Sequence, residues 1–203
     1  QYHLLTTSYV QNFDFPSRNN PPEVQFNLYV ETRQIPLTDF CDICLIPSDG
    51  EIREPRPVEF EDFYRTLSMG DDRGMSSVTS TSLQFPSVHY FVILIAKCLI
   101  AREKVGALSA PDFTILRCAL YSDNTFSLGA IIACRLHLNR TKGKIHGSIY
   151  ATRLASHFNV QIRQHDYPLP KVYLDHQAMV AHQFTNDVDY LNNIRYNLQC
   201  GFL

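Results

Sequence analysis

An excess of charge of one sign is missing from this chain. Its 203 residues hold 18 basic and 20 acidic side chains, for a formal net charge of −2. That balance excludes a uniformly basic, nucleocapsid-type polypeptide. Long hydrophobic runs are missing too. The most apolar stretch, residues 88–101 (VHYFVILIAKCLIA), is interrupted by His89 and Lys97. It falls short of the ~18 apolar residues that a membrane span needs, so we read it as a core helix and expect no membrane partner. No basic, apolar, small-residue leader pattern opens the chain, which begins at Gln1 and is expected to be a piece of a longer protein. There is no nucleophile elbow, Walker loop, dinucleotide fingerprint or His-Glu-x-x-His. With no nucleophile–base pair or metal constellation in view, we expect no enzyme, no cofactor and no metal.

What is present is globular composition, 45% hydrophobic and 19% charged. The length suits one domain with enough core to need no staples. The six cysteines are Cys41, Cys44, Cys98, Cys118, Cys134 and Cys200, mostly set in apolar stretches. They read as buried free thiols in a reducing compartment, cytoplasmic or nuclear.

Periodicity predicts a mainly α-helical fold: a compact helical domain with a small β-hairpin element near the N-terminus. Residues 24–30 alternate as a half-buried strand. Residues 32–34 are expected to turn it, with Gln34 and Ile35 returning as a short partner. A helix follows, with Thr38 as its N-cap, Phe40, Ile43 and Cys44 on one face, and Pro47 as its stop. Residues 47–57 and 68–82 read as loops around a short amphipathic helix at 58–67. Pro86 opens a helix to about residue 104. Ser109, Pro111 and Asp112 form a start signal for a helix to Tyr121. Asn124 or Thr125 starts another, over 126–138; residues 148–158 and 174–184 complete the set. The core is expected to centre on the 86–104 helix, with Phe91, Leu94, Ile95, Cys98, Ile115, Leu116, Leu128, Ile131, Ile132 and Leu154 buried. Around this domain (23–185) we place an N-terminal arm (1–22) and a C-terminal extension (186–203).

Charge is divided unevenly along the chain. Residues 1–75 hold thirteen carboxylates and six arginines, whereas residues 124–165 hold no carboxylate at all. That second stretch carries Arg135, Arg140, Lys142, Lys144, Arg153 and Arg163, with His137, His146, His157 and His165. It is a candidate partner or nucleic-acid surface, with Tyr150 and His146 available to stack on bases. The plainer reading is that it pairs with the acidic half, within one chain or between copies.

Other motifs yield to plainer chemistry. Cys41 and Cys44 have the spacing of half a zinc site, but position 49 is Asp49 and no second ligand pair follows, so core packing is expected. Asp71 and Asp72 follow Gly70 in a Gly/Ser-rich loop and read as a solvated turn. Asp49 with Gly50 is turn chemistry. His89 reads as a satisfied core residue, and His157 as a cation near a helix C-terminus.

Several stretches together resemble a known family: residues 26–29 (FNLY) with 35–41 (IPLTDFC), 108–112 (LSAPD), 128–132 (LGAII), 138–143 (LNRTKG), 147–155 (GSIYATRLA) and 173–182 (YLDHQAMVAH). They resemble the plant retrotransposon protein encoded by the first reading frame of Athila-type, gypsy-class elements, the "putative plant transposon protein" family. The resemblance runs from about residue 24 to 184. Its motifs are structural, so it implies an origin and no catalytic residues. Protease, reverse transcriptase, integrase and zinc-knuckle signatures are absent. The resemblance therefore implies an interaction module, including a domesticated copy in a selfish or fertility-related locus.

The function expected from all this is non-catalytic binding, by self-association or to a protein partner. Tyr2, Leu4, Leu5, Tyr9, Phe13 and Phe15 form the expected self-association arm; the plainer reading is that this arm packs on its own domain. The alternative is a Gag-like nucleic-acid-binding protein using residues 135–163, and the second alternative an enzyme of unrecognised class.

Overall fold

The computed structural model describes residues 2–16, 21–68, 79, 83, 85–100, 107–140 and 148–168. The fold is mainly α-helical, with one antiparallel hairpin near the N-terminus. In chain order the elements are α1 (His3–Gln11), β1 (Glu23–Leu28), β2 (Glu31–Pro36), α2 (Leu37–Cys44), α3 (Glu61–Ser68), α4 (Pro86–Leu94), α5 (Ala110–Tyr121), α6 (Leu128–Asn139) and α7 (Ser148–His157). A 3-10 turn over Pro57–Phe60 leads into α3. The expected helix at 174–184 lies outside the described residues.

The N-terminal segment is not an arm. Leu5, Tyr9 and Phe13 recur every four residues and are fully buried, with Phe15 buried beside them. The Tyr9 ring lies 5.4 Å from Phe13 and 5.6 Å from Phe26; Phe13 lies 5.9 Å from Phe40, which in turn lies 6.1 Å from Tyr150. One aromatic cluster thus joins α1, β1, α2 and α7. A second gathers Phe60, Phe63 and Tyr64 around Phe113, each with ring centroids about 6 Å from it. The core therefore leans on the N-terminal half more than the sequence predicts. Ile95, Ile115, Leu116, Leu128, Ile131, Ile132 and Leu154 are buried as expected. Phe91 and Leu94 are only half-buried, and the Cys98 side chain lies outside the described residues.

Side-chain caps set the starts of α5 and α6. Asp112 Oδ2 accepts from both the Ser109 N–H and the Ser109 hydroxyl at 2.7 Å, opening α5 where its sequence signal lies. α6 opens at Ser127 instead of Asn124 or Thr125: its hydroxyl accepts from the Ala130 N–H at 3.3 Å. Thr125 is already held by Asp123 Oδ1, 2.8 Å from its N–H. α2 starts one residue before its expected cap. Pro36 occupies the cap position and Thr38 is already inside the first turn. α4 ends at Leu94 and continues as a wider π turn over Ile95–Leu99, closed by the Ile100 N–H on the Ile95 carbonyl at 3.0 Å.

Two glycines set close approaches. Gly50 (φ +101°) brings Glu51 alongside Phe126; a Cβ there would sit 2.4 Å from the Asn124 carbonyl oxygen. Gly129 lets α6 press on α2, since a Cβ there would lie 2.1 Å from Cys41 Sγ.

The hairpin also differs from its prediction. Residues 32–34 do not turn; they lie in β2, which pairs with β1 from Glu23↔Pro36 to Leu28↔Glu31. The turn is Tyr29–Val30, and Tyr29 holds φ +58°. A bulky residue in that region is an outlier that tertiary contacts must enforce.

Candidate interaction site

The contacts that enforce the Tyr29 turn come from Ser8 of α1 and from residues 163–166. Asp166 is almost fully buried although it is a carboxylate. Its Oδ1 accepts from the Leu4 N–H at 2.8 Å and its Oδ2 from the Leu5 N–H at 2.9 Å, so it caps α1 from 162 and 161 residues away. Oδ2 also accepts the Tyr29 hydroxyl at 2.9 Å. Burial pushes that phenol above its ordinary value, and the Asp166 charge beside it pushes the same way. The Ser8 hydroxyl donates to the Tyr29 carbonyl, and the Arg163 guanidinium lies 4.5 Å over the Tyr29 ring. Beside the clasp, the His3 N–H donates to the Tyr167 carbonyl at 3.1 Å and their rings stack at 4.9 Å.

A groove of about 430 Å³ lies next to this clasp, between the hairpin tip and residues 158–163. Its walls include Glu31 and Arg33 of β2 and, opposite, Phe158, Asn159, Gln161 and Arg163. Arg33 lies 5.3 Å over the Phe158 ring and pairs with Glu31 at 2.5 Å. The Arg163 side chain is exposed and makes no ion pair among the described residues.

The other described arginines of the basic segment are engaged within the chain. Arg135 pairs with Glu54 at 3.0 Å. Arg140 pairs with Asp14 at 2.8 Å, and His137 Nδ1 lies 2.8 Å from the same carboxylate oxygen. Arg153 donates to the Cys44 carbonyl at 2.9 Å. Two carboxylates of the acidic half, Asp14 and Glu54, thus pair with the basic segment, while Glu31, Glu51, Glu59 and Asp62 pair with arginines of their own half. Lys142, Lys144 and His146 lie outside the described residues. Tyr150 is no base-stacking platform: it is buried, and its hydroxyl donates to the Leu99 carbonyl at 3.0 Å.

The expected self-association arm is corrected in the same way. Leu5, Tyr9, Phe13 and Phe15 are spent on the chain's own core, and Tyr2 pairs with Pro168 as a strand neighbour. Only Leu4 is exposed. The four-residue spacing of Leu5, Tyr9 and Phe13 was visible in the sequence.

Cys41 and Cys44 face the core as free thiols, and burial pushes both up to about 12. Among the described residues no cluster of three or more metal-capable side chains occurs. No helix among them is long and apolar enough to cross a membrane. Asp71 and Asp72 lie outside the described residues. Comparison of the chain with family models, curated proteins and solved structures returns no match.

Proposed function

We propose that this chain is a non-catalytic binding module of a plant retrotransposon-derived protein, acting by self-association or on a protein partner. The observation that carries the binding mode is the fate of the basic segment. Arg135, Arg140 and Arg153 are each engaged by an acceptor of the same chain, so of the segment's described arginines the Arg163 side chain alone is left without such an acceptor among the described residues for tracking a phosphate backbone. The open features are instead an exposed strand edge at β2 and scattered exposed apolar side chains such as Val30, Leu45 and Tyr121. The proposed origin rests on the resemblance of residues 26–41, 108–112, 128–155 and 173–182.

The Gag-like alternative is separable by fluorescence anisotropy on a random single-stranded RNA across a salt series. Weak binding with little salt dependence is expected. A log–log slope near −4, the value for about six phosphate contacts on single strands, would overturn the reading in favour of RNA.

A further inference from the structure

With the N-terminal arm buried, any contact between copies needs another surface, and the outer edge of β2 supplies one. Asp14 and Gln25 exchange both backbone hydrogen bonds, at 2.7 and 2.9 Å, on the far side of β1. The backbone groups of Gln25 therefore point away from β2. Gln25 stands opposite Gln34, so the N–H and C=O of Gln34 point away from β1 in turn. With a period of two, Thr32 does the same. Both residues are exposed, and no described residue hydrogen-bonds their backbone.

We propose that this edge pairs with the same edge of a second copy, turning two hairpins into one four-stranded antiparallel sheet. The proposal deepens the self-association half of the reading above. Charge and chemistry select the register. A two-fold axis at Arg33 would set Arg33 against Arg33, and like charges directly opposite destabilise a pair. An axis at Gln34 would set Thr32 against Pro36, which has no N–H to give. An axis at Thr32 lets the two Thr32 residues exchange both hydrogen bonds. It also puts Glu31 of each copy opposite Arg33 of the other. The contact is isologous and closes at two copies. Room exists on the side where these charges lie, because Glu31 and Arg33 line the groove against residues 158–163.

The test is sedimentation equilibrium on the full chain from about 1 µM to about 1 mM, the range of weak dimers. Wild type is expected to dimerise. Thr32→Pro removes an outward N–H that no described residue uses, a change edge strands tolerate, and is expected to weaken the dimer at least tenfold with the circular dichroism unchanged. Glu31→Arg and Arg33→Glu are each expected to be monomeric alone, because each sets like charges face to face. Mixed one to one, they become complementary, and a heterodimer should form. A wild-type chain that stays monomeric at about 1 mM overturns the proposal. So does a dimer indifferent to Thr32→Pro, or a mixture that fails to associate while both variants stay folded. None of these outcomes touches binding to a different protein, whereas steep salt-dependent RNA binding would remove the parent reading whatever the dimer does.

Discussion

The Tyr29 hydroxyl donates to Asp166 Oδ2 at 2.9 Å, joining the hairpin turn to a carboxylate 137 residues further along the chain. That carboxylate is also the N-terminal cap of α1. Asp166→Ala should release two helix N–H groups and one phenol together, at a cost of about 2–4 kcal/mol. Tyr29→Phe should cost less, about 1 kcal/mol, since the cap survives. Urea unfolding of both variants checks the order; equal losses would mean that the α1 cap adds nothing to stability.

Tyr9 offers the opposite sign. It is fully buried, and its hydroxyl finds no hydrogen-bond partner among the described residues. Tyr9→Phe removes a desolvated polar group and leaves the ring packing against Phe13 and Phe26 in place. A gain of about 1 kcal/mol is expected from thermal or chemical unfolding. A clear loss would reveal a partner for that hydroxyl.

Gly129 and Gly50 should fail for different reasons. Gly129→Ala meets a side chain, Cys41 Sγ, and should cost about 1–3 kcal/mol, as overpacking does. Adding Cys41→Ala should return part of that loss, a coupling that a double-mutant cycle reads directly. Gly50→Ala meets backbone of residues 124–127 and also strains φ, so no neighbouring side-chain trim should rescue it.

The thiols give a pH dependence of definite sign. Burial pushes Cys41 and Cys44 from an ordinary 9.0 up to about 12 in the folded chain. The folded state therefore holds its protons longer than the unfolded one. Their contribution is fully present below about pH 9 and is lost progressively as pH rises toward 12. Unfolding midpoints between pH 8 and pH 11 should fall more in wild type than in a Cys41→Ala, Cys44→Ala double variant. In native protein at pH 8, iodoacetamide should label the half-exposed Cys118 and Cys134 before either buried thiol.

Local signals in the sequence were read where they acted locally. Ser109 and Asp112 are three residues apart, and α5 begins where they say. The sequence also showed that two halves of opposite charge existed and that pairing was one use for them. It could not show which cation met which anion, because Asp14 and Arg140 are 126 residues apart. The hairpin turn was misplaced for a related reason. Tyr29 is neither glycine nor asparagine, and its positive φ depends on Ser8, Arg163 and Asp166, which only the folded chain brings near. The α6 cap was misjudged because Thr125 looks free in the sequence and is bound by Asp123 in the fold.

The strand-like contact of Tyr2 with Pro168 has a topological consequence. With the Asp166 cap and the His3–Tyr167 bond beside it, it closes a loop of about 160 residues onto the first turn of α1. Contacts so distant in sequence carry a large closure entropy, so the docking of α1 is expected to come late in folding.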